Sequence, residues 1–153
     1  LSGTSVTYHK NINIGLAVSI ENGLMVPAMF NCEEKNFLGL CRNINDVANR
    51  TRNKQISADE LTGSTFTISN FGVFGVTIGT PIINQPNVGI LGVGAIKKQA
   101  VVVESSQGDA IAIRSMMMLS LGFDHRLIDG AGGAKFIERI RYYLETMDLR
   151  QVL

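Results

Sequence analysis

His9 and His125 are the two histidines of this sequence, the residue type whose charge is most readily used near neutrality. A histidine standing alone is more often structural than catalytic, so its surroundings decide the question. His125 sits in Asp124-His125-Arg126-Leu127-Ile128-Asp129-Gly130, directly after a long apolar run and before a glycine that opens a helical pattern. Two carboxylates and an arginine beside an imidazole can set its tautomer and orientation, which is what a general base requires.

Other chemistries find less support. Zinc needs three or four converging ligands, and two distant histidines with Cys32 and Cys41 lack the usual spacing. No metal is expected, and the two cysteines read as core thiols of a reducing compartment. Serine hydrolysis would use a GxSxG elbow, which is missing; Ser69, in Thr67-Ile68-Ser69-Asn70, instead ends a strand before a glycine-dense loop. The phosphate-binding pattern GxxxxGK[ST] is also missing, and Gly89-Ile90-Leu91-Gly92-Val93-Gly94 carries its glycines in the wrong order for GxGxxG. Met116, Met117 and Met118 are expected to fill core gaps, or one of them to line an acyl pocket.

The elements that must position these residues follow from periodicity. Residues 11–20 alternate apolar and small or polar side chains, as a half-buried strand does. Asn22-Gly23 should supply the positive backbone angles of a tight hairpin turn, with residues 24–30 returning as a partner strand in which Pro27 donates nothing. Phe37, Leu40, Cys41, Ile44, Val47 and Ala48 recur at three- and four-residue steps, predicting an amphipathic helix over 36–53 that faces Arg42, Asn45, Asn49 and Arg52 to water. Ser57 and Glu60 form a capping box for one further turn, closed by Gly63, and a strand over 65–69 follows. The glycines and prolines of residues 70–94 imply close backbone approach. Strands are expected over 88–96 and 100–103, then a turn over 105–109. Residues 110–123 should form one long strand buried on both faces. A helix over 131–146 completes the plan of strand, sharp loop with His125, helix.

The 153 residues suit one domain with a real core. Net charge is +1 and the 14 lysines and arginines are dispersed, which argues against nucleic acid as a partner. No apolar run is long enough to span a bilayer, and Leu1 opens onto polar residues rather than a signal peptide, so no membrane role is expected.

Three segments resemble a known family in its own order: Phe66-Thr67-Ile68-Ser69-Asn70-Phe71-Gly72; Thr80-Pro81-Ile82-Ile83-Asn84-Gln85-Pro86 followed by Gly89-Ile90-Leu91-Gly92; and Asp124 to Gly130. They are similar to the catalytic core domain of the dihydrolipoyl acyltransferases of 2-oxo acid dehydrogenase complexes, within the chloramphenicol acetyltransferase-like superfamily. The resemblance implies an α/β two-layer sandwich with a mixed sheet, with residues 1–153 lacking the N-terminal part of that domain and the lipoyl and partner-binding domains before it. It implies homotrimers whose active sites lie between neighbouring subunits and which build a cubic or dodecahedral core, serving a decarboxylating dehydrogenase and a dihydrolipoamide dehydrogenase. The compartment would be bacterial cytoplasm or mitochondrial matrix.

By the same resemblance, coenzyme A and dihydrolipoamide approach from opposite ends, and the lipoyl group rides on a domain outside this chain. His125 would deprotonate the attacking thiol. Ser69 of the adjacent subunit would hydrogen-bond the oxyanion, and Asp129 would hold the loop. The acyl group implied is succinyl, with branched-chain acyl or acetyl as alternatives. Two other readings stay open. One is a catalytically inactive structural core whose apolar tail, residues 149–153, docks on a neighbour. The other is a stand-alone acetyltransferase of the chloramphenicol type, which would be expected to carry a second histidine where Asp124 stands. The missing elements would also leave apolar surface exposed beside residues 12–20.

Overall fold

The computed structural model describes residues 5–106, 108–148 and 150 of the chain. The expected tail over 149–153 falls almost wholly outside them.

Strand β1 (Ile14–Ile20) turns at Glu21 and Asn22 into β2 (Gly23–Met25) and then β3 (Ala28–Met29). Ile20 pairs with Gly23, so the turn lies one residue earlier than Asn22-Gly23. Of the residues in this turn Gly23 takes a positive φ, 154°, an angle that costs a residue without Cβ little. The expected return strand is interrupted because Pro27 has no N–H to give to the ladder; its carbonyl still accepts from Leu16 N at 2.9 Å. Val18 opposite Met25 and Gly15 opposite Ala28 keep a single register across the gap.

Helix α1 (Phe37–Arg52) starts where the Asn36 side chain accepts from Gly39 N at 2.8 Å. Its buried Val47 joins Met29 and Cys32, with Ile14, Leu40 and Ile56 around them. Ser57 N and Oγ both donate to Glu60, at 3.1 and 2.9 Å, so the expected capping box forms only by half. Glu60 takes Ser57 N, but Ser57 Oγ donates to the carboxylate instead of accepting from Glu60 N, and Ala58 stands at the start of the turn of residues 59–61. Arg50 ties that turn back to α1 through Glu60 (2.7 Å) while also holding Asp46 (2.9 Å). The Arg50 guanidinium and the Ser57 donors hold the Glu60 carboxyl down at about 2.

Strands β4 (Phe66–Asn70) and β5 (Gly89–Val93) continue the sheet in parallel with β1, and β8 (Leu119–Phe123) closes it antiparallel to β5. The order is β2-β1-β4-β5-β8, a mixed sheet. Ile14 and Phe66 stand in register on one face. Ile14 packs on α1, and Phe66 meets Phe136 of α2 (Gly130–Thr146) edge-on at 5.7 Å. Both helices therefore cover that face, giving two layers. The opposite face carries small residues, Gly15, Ala17, Thr67, Ser69, Gly92, Ser120 and Gly122, beneath the loop of residues 71–88.

Residues 110–123 do not form one buried strand. They divide at Met117 and Met118 into β7 (Ala110–Met116), which pairs only with β6 (Lys97–Val103), and β8 in the main sheet. The two halves have different partners, and β7 lies largely in solvent. Met116 and Met118 are likewise exposed, at 37% and 52%, rather than filling a core.

Candidate functional site

Beyond Phe123, Asp124 N still donates to Val88 O at 2.9 Å, which prolongs the pairing that ends β8. The chain then folds back at once, because Leu127 N and Ile128 N both return to Asp124 O at 3.0 Å. His125 projects from that turn into a cleft of about 580 Å³ walled by Ile83, the segment 85–88 and Phe123. Its ring lies 5.6 Å from the Phe123 ring, inclined by 38°. Phe123 is held from behind by Gly133 of α2, where a Cβ would come within 2.5 Å of the phenyl ring.

The carboxylates beside His125 are engaged elsewhere. Asp124 grips Arg126: Nη2 to Oδ2 is 2.6 Å, Nε to Oδ1 is 2.9 Å, and Arg126 N donates to Oδ1 at 3.0 Å. The guanidinium holds the Asp124 carboxyl down at about 2. Asp129 caps α2 by accepting from Gly132 N at 2.6 Å. Among the described residues neither carboxylate is hydrogen-bonded to the imidazole. The expectation that they set its tautomer directly is therefore corrected: a carboxylate that fills its lone pairs with a fork-shaped guanidinium or a helix N-terminus has turned away from the ring. What holds the imidazole in place is the backbone turn and the Phe123 face.

Ser69 lies near the end of β4, flanked in register by Ala17 of β1 and Gly92 of β5. It opens into a different cleft, also about 580 Å³, with Leu24, Val26, Phe71 and the segment 79–84 around it. Of the residues lining the two clefts, Ile83 alone is common to both, so one chain does not bring Ser69 and His125 to one place. The glycine-dense loop between them owes its course to close approach, as expected. At Gly72 an added Cβ would run into the Gly94 carbonyl, 2.6 Å from Ala95 N, and at Gly79 it would lie 2.9 Å from the Phe71 ring.

Two residues of the site escaped the sequence reading. Phe123 was hidden inside an apolar run. Asn87 is 7% exposed and donates from Nδ2 to Thr67 Oγ1 at 2.7 Å and to Ser64 Oγ at 3.1 Å, which anchors the wall facing His125. Its position straight after Pro86 and before the apolar run of β5 is the one signal that marks it. His9 is exposed and lies across that same wall, in a smaller cleft of about 320 Å³. Cys32 and Cys41 are free thiols. Among the described residues no three His, Cys, Asp or Glu side chains are grouped to hold a metal, and no helix is long and apolar enough to cross a membrane.

The sequence profile of the 2-oxoacid dehydrogenases acyltransferase (catalytic domain) family matches residues 1–152. Among curated proteins, the acetyltransferase component of a Corynebacterium glutamicum pyruvate dehydrogenase complex is 40% identical over 141 residues, 92% of this chain and 21% of that protein. The succinyltransferase component of a Bartonella vinsonii 2-oxoglutarate dehydrogenase complex is 37% identical, over 95% of this chain and 34% of that protein. Among solved structures, an Azotobacter vinelandii dihydrolipoamide acetyltransferase, studied for the catalytic roles of a serine, a histidine and an asparagine, superposes with a TM-score of 0.87 at 39% identity. The cubic core of a pyruvate dehydrogenase multienzyme complex superposes at 0.86 and 38% identity. Each of these two matches covers 99% of this chain and 60% of the solved one. The chain thus spans about a fifth to a third of those curated relatives and three fifths of the solved chains.

Proposed function

Because the chain belongs to the 2-oxoacid dehydrogenase acyltransferase catalytic-domain family, we propose that it moves an acyl group between dihydrolipoamide and coenzyme A, with His125 as general base. The observation that carries this reading is the placement of His125, alone and exposed on a tight turn at the mouth of a cleft lined by Ile83, Val88 and Phe123. A cleft of that size, walled by Ile83, Val88 and Phe123 together with the polar Gln85 and Asn87, can admit the flexible arm of a thiol substrate. In the Azotobacter enzyme the histidine and asparagine under study stand four positions apart, the spacing of His125 and Asp129 here.

A thiol of pKa about 8.5 is mostly protonated at pH 7, so the imidazole's task is to take the S–H proton as sulfur attacks the thioester carbon. A new C–S bond forms and the carbonyl electrons move to oxygen. The Ser69 hydroxyl of a second copy donates a hydrogen bond to that oxyanion, a role worth about 10² to 10³ in rate for one such donor. Collapse expels the other sulfur, which receives the proton from the imidazolium. Asp129, capping α2, holds the turn without exchanging protons. The separation of Ser69 and His125 into two clefts of one chain supports a site shared between copies.

The proposal extends to assembly: trimers joined into a larger core, with cubic geometry favoured by the likeness to the cubic core. There a lipoyl group from a domain outside this chain would carry acyl groups from a decarboxylating dehydrogenase, and a dihydrolipoamide dehydrogenase would reoxidise it. The walls beside Ser69, including Leu24, Val26, Ile82 and Ile83, suit an uncharged acyl chain. This favours acetyl over the succinyl group that the motifs suggested, and the relatives carry both names.

The test uses the full-length protein with dihydrolipoamide and acetyl-, succinyl- or isobutyryl-coenzyme A. Transfer should be fastest from acetyl-coenzyme A, and His125→Ala should lower it by about 10² to 10⁴ without changing the mass of the assembly. No transfer from any donor, or loss of assembly in step with activity, would overturn the reading in favour of a structural core.

A further inference from the structure

Asp124 and Arg126 flank His125 in the chain and close on each other. Four hydrogen bonds make the closure: three from the guanidinium, with Nε shared between both oxygens, and one from Arg126 N, all to the Asp124 carboxylate. The carboxylate side is 19% exposed and the guanidinium side 69%, so the pair spans the rim of the cleft. An ion pair as exposed as this contributes little to folding. Its geometry, however, ties together the two residues that define how the turn presents the imidazole.

We propose that the Asp124–Arg126 pair is a positioning device for His125, which fixes the turn that aims the imidazole into the cleft and cancels the charge on each side of it. This rests on His125 acting as the base, yet its electrostatic half can be read without any acyl transfer. In the chain His125 stands between one negative and one positive residue. The opposing wall over 83–88 holds no titratable side chain, and Asp129, the other acid on this loop, is committed to Gly132 N. A bare carboxylate at position 124 would favour the imidazolium, whereas a bare guanidinium at 126 would disfavour it. Paired, each offsets the other's effect on the ring.

The decisive property is a pair of opposite signs. In the full-length protein carrying His9→Gln, so that His125 is the reporting histidine, the pH dependence of modification by diethyl pyrocarbonate gives the midpoint of the imidazole. Arg126→Gln should raise that midpoint and Asp124→Asn should lower it, each by roughly half a pH unit at a solvent-exposed site. The double variant should return close to the parent. Transfer kcat should fall by about tenfold in the double variant, with KM little changed, because charge balance is restored but aim is not. Arg126→Lys should keep the parent midpoint while losing part of kcat, since an ammonium lacks the fork that chelates a carboxylate. Midpoints that stay put, or move the same way in both single variants, would overturn the proposal. If the midpoints move as stated and no variant, parent included, transfers acyl groups, the positioning device stands and the acyltransferase reading falls.

Discussion

Strands β5 and β7 are both rich in apolar residues, yet they end in opposite surroundings. β5, Gly89-Ile90-Leu91-Gly92-Val93, runs between β4 and β8 with four of its five residues buried. β7 has a single neighbour, β6, and leaves Ile111 and Ile113 81% and 69% exposed. Hydrophobicity alone does not separate them. β5 has glycines where a side chain or backbone must pass close by: Gly89 lies under the Phe66 ring and Gly92 under Phe71. Burial in this fold thus follows from how nearly neighbouring chain can approach, and the site grows from the region where approach is closest.

Filling one of those approaches is the sharpest way to break the comparison. Gly94 follows β5, and a Cβ there would collide with the Thr77 carbonyl and lie 3.0 Å from Met118 O. Both obstacles are backbone, so neither can rotate away. Gly94→Ala should lower unfolding free energy in denaturant by about 3 kcal/mol, the upper part of the range for overpacking. A loss under about 1 kcal/mol would mean that the loop yields, and the contrast with the hairpin would lose its basis.

Much of this architecture was legible in the residues. The alternation from Ile12 to Ile20 marked β1, the three- and four-residue steps from Phe37 marked α1, and the glycine density after Asn70 marked close approach. The failures have local causes. Nothing at Met117-Met118 resembles a breaker, so the division between β7 and β8 left no trace in a run of apolar residues. The Asp124 and Asp129 carboxylates were placed beside His125 correctly in sequence and wrongly in bonding, because the choice of partner is made by geometry: a guanidinium two residues away and an open helix N-terminus each outcompete the ring. The separate clefts of Ser69 and His125 could not be read from spacing either, since β4 and β8 are brought together only through β5.

A smaller effect sharpens the comparison within the sheet itself. Asn87 spends its amide on Thr67, which has no solvent exposure, and on Ser64. Asn87→Ala leaves the Thr67 hydroxyl without its donor and frees the wall opposite His125. Stability should fall by about 2 kcal/mol, the usual cost of stranding a buried polar group. Calorimetry would show this as a lowered Tm, and an unchanged Tm would indicate that the wall is held by packing alone.

The smallest effect belongs to the hairpin and tests the other arm of the contrast. Ile113 stands opposite Ala100 of β6, on the same hairpin face as Val102 and Ile111, both of which are also exposed. Since the side chain already lies in water, Ile113→Ser removes no burial from the single chain. Unfolding free energy at protein concentrations low enough to separate copies should therefore change by no more than about 0.5 kcal/mol. The same substitution in β5, Ile90→Ser, exchanges a side chain 4% exposed for a hydroxyl and should cost several times as much. Equal losses at the two positions would show that β7 is buried after all, and that one apolar strand over residues 110–123 had been the better account.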